Sequence, residues 1–151
     1  MKYLMSLVML AALGLFAACG SNSSNGGSNV NVNGNWSASL MDTGGTQVLT
    51  FTTSLTQSSD NSISGENLTF TTSSACFAGG GTETGAFTLN GNTGGVTSGG
   101  VQLTIASSGS SSGNTLMLNG TLQNGTITGT WTLTGSVGCT GNGNFSMTKV
   151  S

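Results

Sequence analysis

The feature that most constrains the fold is the alternation of apolar with polar residues, which recurs in short segments between Val32 and Val150. In one segment, Leu49, Phe51 and Leu55 are separated by Thr and Ser residues. A period of two residues places successive side chains on opposite faces of an extended strand. No helical period appears in this part of the chain. The pattern therefore predicts an all-β domain whose strands each have one buried and one solvated face.

Eight segments of the chain show this alternation. They span residues 32–40, 47–57, 62–71, 84–90, 100–106, 115–122, 126–134 and 144–150. The phase of the third segment slips near Gly65, which predicts a β-bulge. The sequences Ser58-Ser59-Asp60-Asn61 and Gln123-Asn124-Gly125 predict tight hairpin turns.

The edge strands of the sheet distinguish the possible architectures. Exposed edge strands are usually protected by lysine, proline or inward-pointing charges, but the chain has no proline and only two basic residues. Closing the sheet removes its edges. We therefore expect a small antiparallel up-and-down β-barrel of about eight strands. A β-sandwich remains the alternative, because the spacing of strands does not separate the two.

In an up-and-down barrel, successive loops lie at alternate ends. Three long connections, residues 72–83, 107–114 and 135–143, would share one end, here called the long-loop end. The tight turns, residues 91–99 and the start of the first strand would lie at the opposite, short-turn end. Cys76 and Cys139 both fall in long connections, and residues 1–18 have the pattern of an export signal, so we expect a disulfide between the two cysteines. Two free thiols are the alternative.

The first eighteen residues predict export. Lys2 precedes an apolar run from Leu4 to Phe16, and two alanines then lead to Cys19. The run is shorter than the roughly 20 residues that a membrane-spanning helix needs. The sequence Phe16-Ala17-Ala18-Cys19 resembles the lipobox of bacterial lipoproteins, although Phe16 stands where that family usually has leucine. The resemblance implies cleavage before Cys19 and acylation of Cys19, for example by palmitate. An ordinary secretory signal with an incidental cysteine is the alternative.

The chain then divides into a tether and a domain. Residues 19–30 are rich in Gly, Ser and Asn and are typical of a flexible linker, and residues 31–151 form the barrel domain. Ser21 occupies the second position after the cysteine. In the lipoprotein family, a residue other than aspartate there implies transfer to the outer membrane.

The composition excludes several functions. Beyond the signal, the charged residues are Asp42, Asp60, Glu66, Glu83 and Lys149, and the whole chain has no histidine. A nucleic-acid partner would need a basic surface that the chain lacks, and we expect no metal, no cofactor and no catalytic residue.

Two sets of acidic residues are possible sites. Glu66 and Glu83 form a weak candidate for an acid/base pair. Asp42 and the pair Asp60-Asn61 could contribute to a calcium site, but capping of turns is the better interpretation.

Both tryptophans lie in the same local sequence. Gly34-Asn35-Trp36 resembles the opening of lipocalins and avidins, and Gly129-Thr130-Trp131 repeats the triplet. The lipocalin partner arginine has no counterpart, because the chain contains no arginine. The resemblance implies a barrel shape and transfers no ligand residue. Both rings fall on the apolar face of their strands, which favours core packing over a stacking surface.

The sequence therefore predicts a lipid-anchored protein of the bacterial cell envelope, at the outer membrane, with a non-catalytic structural or surface-interaction role. The alternative is a carrier that binds a small apolar ligand at the long-loop end. A protein partner is also compatible with the sequence.

Overall fold

The structure is a computed structural model, and it describes residues 30–72, 76, 81–84, 87–94, 99–107, 113–135 and 138–151. Cys19, the signal and most of the tether lie outside the described residues. The described strands are β1 (Gly34–Asp42), β2 (Gln47–Gln57), β3 (Ser62–Thr72), β4 (Gly81–Thr84), β5 (Phe87–Thr93), β6 (Gly100–Ser107), β7 (Thr115–Gln123), β8 (Thr126–Thr134) and β9 (Gly141–Val150).

These strands form one closed antiparallel sheet. The order β2-β1-β9-β8-β7-β6-β5-β3 returns to its start, because β2 and β3 are also paired. β4 and β5 pair with different halves of β3, so together they occupy a single position in the barrel. The result is an eight-stranded up-and-down barrel. The predicted barrel is confirmed and the sandwich alternative is wrong.

The fourth predicted strand, residues 84–90, is described as two strands rather than one. Its place is taken by β4 and β5, whose registers against β3 differ. Between the pairs Thr69–Thr84 and Gly65–Leu89, β3 advances by four residues while the facing chain advances by five. The chain facing β3 therefore has one residue more than β3 itself, and a regular ladder cannot accommodate the extra residue.

The predicted bulge is present, but two to three residues beyond Gly65. Thr52 pairs with Thr69 and Ser54 pairs with Glu66, so Thr53 faces two residues of β3. One of these two, Asn67, has a φ of 52°, in the left-handed region that asparagine tolerates. The other, Leu68, is buried.

The predicted hairpin turns are confirmed. Asn124 and Gly125 join β7 to β8 and have φ values of 51° and 76°. Two consecutive positive φ values match the twist of a two-residue hairpin. In the β2–β3 turn, the Asn61 amide donates to the Ser58 carbonyl at 3.0 Å.

Wherever the structure describes the side chains of a strand, its apolar face points into the barrel. Trp36 and Trp131 are 1% and 6% exposed, so both are core residues, as predicted. Phe51 on β2 and Phe70 on β3 pack in a tilted pair with ring centroids 5.6 Å apart, a favourable arrangement for aromatic rings. The core thus contains aromatic and branched aliphatic side chains from both halves of the sequence.

The segment before β1 closes the short-turn end. Val32 is fully buried there, and its carbonyl accepts the Trp36 indole N–H at 2.7 Å. Its amide donates to the Gln57 side-chain oxygen, and the Gln57 amide group donates in turn to the Thr93 hydroxyl. The buried side chain of Val32 thus forms a plug at the short-turn end, and β1 begins at Gly34 rather than at residue 32.

Lys149 on the last strand lies near Trp36. Its Nζ atom is 6.0 Å from the centroid of the Trp36 ring, within the range of a cation–π contact. The last strand therefore places a positive charge beside the first tryptophan of the barrel.

Hydroxyl groups form continuous rows on the outer surface. The registers connect neighbouring strands through residues that all carry a hydroxyl, and none of these residues is buried. The first row comprises Thr121, Thr128, Ser146, Ser39, Thr50 and Thr71. The second row comprises Thr126, Thr148, Ser37, Thr52 and Thr69.

Candidate binding cleft at the long-loop end

Cys76 and Cys139 form a disulfide at the long-loop end, as predicted. Their Cα atoms are 5.4 Å apart, and 63 residues separate them in sequence. The bond joins the connection between β3 and β4 to the connection between β8 and β9. A disulfide requires its two Cα atoms to lie within about 7 Å, so both connections must emerge at one end of the barrel.

Asn114 is a further fixed point at this end, and no pattern in the sequence points to it. Its side chain is buried, and Nδ2 donates to the Cys76 carbonyl at 2.6 Å. Asn114 directly precedes β7, so this bond ties the start of β7 to the segment that carries Cys76. The disulfide adds the segment before β9. Three chain segments are therefore joined around one cysteine.

A cleft of about 330 Å³ lies beneath this junction. Its walls come from the ends of β1, β3 and β8 and the starts of β2, β7 and β9. The lining residues are Leu40, Thr46, Gln47, Val48, Leu49, Thr72, Cys76, Leu116, Trp131, Leu133, Gly138, Thr140 and Gly141. The long-loop end, which the sequence marked as the place where a ligand would be admitted, thus contains a concave site.

Trp131 forms part of the cleft wall in a fixed orientation. Its indole N–H donates to the Met41 carbonyl on β1 at 2.7 Å. Gly143 and Gly141 on β9 leave room for the ring, because a Cβ on Gly143 would lie 2.8 Å from Trp131 Nε1 and one on Gly141 would lie 3.1 Å from Cη2. The glycines of β9 therefore create the space that the indole occupies.

The two aspartates Asp42 and Asp60 stabilise turns. One carboxylate oxygen of Asp42 accepts the amides of Gly44 and Thr46 at 2.9 Å and 2.8 Å. Asp60 accepts the amide and the hydroxyl of Ser62 at 3.0 Å and 2.7 Å. These two hydrogen bonds hold the pKa of Asp60 below its ordinary value, and the bond from the Ser62 hydroxyl has the larger effect. Both aspartates are turn caps, in agreement with the sequence interpretation.

The structure describes the side chain of one of the two glutamates considered as an acid/base pair. Glu66 is exposed on β3, and the side chain of Glu83 lies outside the described part. Among the described residues, no three His, Cys, Asp or Glu side chains are grouped so that they could hold a metal ion. Within the same residues, no helix has the length and apolar character needed to cross a membrane.

Comparison with known proteins finds no match to this chain, whether among family models, among curated proteins or among solved structures.

Proposed function

We propose that this is a lipid-anchored protein of the bacterial cell envelope, held at the outer membrane by acyl chains on Cys19, whose barrel has a non-catalytic structural or surface-interaction role. The observation that carries the non-catalytic role is the packing of the barrel. Core side chains fill the interior from Val32 at the short-turn end to the cleft. A filled eight-stranded barrel serves as a rigid body that presents its surface.

The position of the N-terminal segment supports the anchoring geometry. Val30 and Val32 pack at the short-turn end, so the tether would reach the barrel there. The cleft and the disulfide lie at the opposite end. An anchor on Cys19 would therefore hold the short-turn end toward the membrane and direct the long-loop end away from it.

The cleft favours a second candidate function, that of a carrier for a small apolar ligand. Its volume of about 330 Å³ lies within the 300–1,000 Å³ typical of small-molecule pockets. Native mass spectrometry of the purified protein separates the two roles. A co-purifying small molecule supports the carrier, and a protein mass without one supports the structural role.

The anchor is tested by metabolic labelling with palmitate. Cys19→Ser should abolish incorporation of the label and should leave uncut precursor or release the protein from the membrane fraction, because acyl chains provide the attachment. Cys76→Ser is the matched control, and it should retain the label. Incorporation of palmitate into the Cys19→Ser variant would show that another residue is acylated.

A further inference from the structure

Building on the carrier role proposed above, we infer that the cleft at the long-loop end is a binding site for a small uncharged molecule made of one or two apolar rings. Among the residues that the structure describes, the lining contains no charged side chain. The nearest aspartate along the chain, Asp42, already accepts two backbone amides of its own turn. A charged ligand would lose its hydration in the cleft without gaining a partner of opposite charge.

The size of the cleft restricts the ligand further. A volume of about 330 Å³ is at the lower end of the range for small-molecule pockets. The closed short-turn end prevents a long chain from passing through the barrel, because Val32 and Trp36 are packed there. A compact ring system fits this space, whereas a long acyl chain could not extend from it through the barrel.

The chemistry of the walls favours rings. The only indole N–H in the cleft is engaged by the Met41 carbonyl, so Trp131 offers ring carbons to a ligand. Leu40, Leu49 and Leu133 add aliphatic carbons. Aromatic and aliphatic ring ligands gain from such contacts through burial and ring–ring packing. Thr46 and Thr140 are exposed at the rim, where one hydroxyl or carbonyl group of the ligand would remain in water.

The cleft is held in shape before any ligand arrives. The disulfide fixes Cys76 to Cys139, and Asn114 fixes the Cys76 carbonyl to the start of β7. Binding then requires little ordering of the protein, and less of the interaction free energy is lost to conformational entropy.

The experiment uses the mature protein, isotopically labelled and purified in detergent, with 1-naphthalenemethanol as the probe. The two tryptophans give two indole N–H signals in a nuclear magnetic resonance spectrum, which Trp36→Phe assigns. Trp131 lies in the cleft and Trp36 at the closed end. The probe should shift the Trp131 signal saturably and leave the Trp36 signal unchanged.

Two matched variants locate the binding. Val48 lines the cleft and Val30 packs at the short-turn end, and both are partly buried against the core. Val48→Phe fills the cleft and should weaken binding at least tenfold. Val30→Phe adds the same volume at the other end and should bind as the wild type does. The dissociation constant from the titration gives the comparison.

A charged probe of the same shape tests the ligand class. 1-Naphthoate should bind at least tenfold more weakly than 1-naphthalenemethanol. Equal binding of the two probes, equal shifts of both indole signals, or wild-type binding by Val48→Phe would each overturn the inference. If the naphthalene probe fails but native mass spectrometry shows a co-purifying molecule, the ring class is wrong and the carrier role stands. If both fail, the carrier role is wrong as well.

Discussion

At the scale of single residues, Trp131 belongs both to the core of the barrel and to the wall of the cleft. Its ring is almost fully buried, its N–H is bonded to Met41, and its carbons face the cavity. The sequence predicted its burial, because Trp131 falls on the apolar face of β8. The sequence placed a possible ligand site at the long-loop end, but the residues that line the cleft could not be predicted, because a cavity depends on the packing of distant strands.

Replacing Trp131 by alanine should destabilise the barrel by about 3–5 kcal/mol, through lost burial and an enlarged cavity. Urea unfolding followed by circular dichroism measures the change in the free energy of unfolding. Trp131→Phe should cost less, because most of the ring volume is retained. A loss below about 1 kcal/mol for the alanine variant would place the indole at the surface and would revive its role as a stacking platform.

No pattern in the sequence marks Gly143 as a residue that is needed for packing. A side chain there would collide with the Met41 carbonyl oxygen and with Trp131. Gly143→Ala should therefore lower the free energy of unfolding by about 1–3 kcal/mol, as overpacked positions do. The control is Asn142→Ala, the exposed neighbour on β9, which should unfold at nearly the wild-type urea concentration. Equal stability of the two variants would contradict the collision.

Asp60 gives a pH dependence of known sign. The pKa of Asp60 is lowered in the folded protein from its ordinary value of 3.8. The ionised carboxylate therefore stabilises the fold at pH values above 3.8. That contribution is lost as the pH falls from there through the lowered pKa. The stability difference between wild type and Asp60→Ala should therefore shrink in acid. Urea unfolding at pH 7 and near pH 2 tests this, and a difference that grows in acid would contradict it.

At the scale of elements, most strands were predictable and their interruptions were not. Alternation locates β2, β6 and β8 within about one residue, because the described side chains of each alternate between the core and the solvated face. The break between β4 and β5 results from a register mismatch against β3, which involves two distant segments. The sequence also could not distinguish the plug formed by Val32 from the first residue of a strand, because Val32 is apolar and continues the alternation of β1.

The disulfide should stabilise the barrel without determining its secondary structure. The chain-entropy relation for a loop of this length gives about 4 kcal/mol. Reduction, or Cys76→Ser, should lower the melting temperature measured by calorimetry. The far-ultraviolet circular dichroism should be unchanged at 25 °C, because the ladders of the sheet close without the bond. Free thiols at both positions in non-reducing peptide maps of the exported protein would contradict the pairing.

At the scale of the whole molecule, the barrel has almost no charge on its outer surface. The hydroxyl rows cover neighbouring strands with Thr and Ser, residues that suit a solvated pleat. Within the described residues, every strand except β4 pairs on both sides, so closure of the sheet leaves little edge that would need protection by lysine or proline. The sparse charge and the closed topology are therefore consistent with each other.

The course of the chain into β1 has a mechanical consequence. β1 follows directly from the plug at the short-turn end and is hydrogen-bonded along both sides, to β2 and to β9. A pull on the N-terminus, opposed by a contact at the long-loop end, acts along the strands. It loads both ladders in shear, so that many hydrogen bonds resist together instead of opening one after another. The barrel can thus transmit tension between its two ends, and its lifetime under load is set by the unfolding rate.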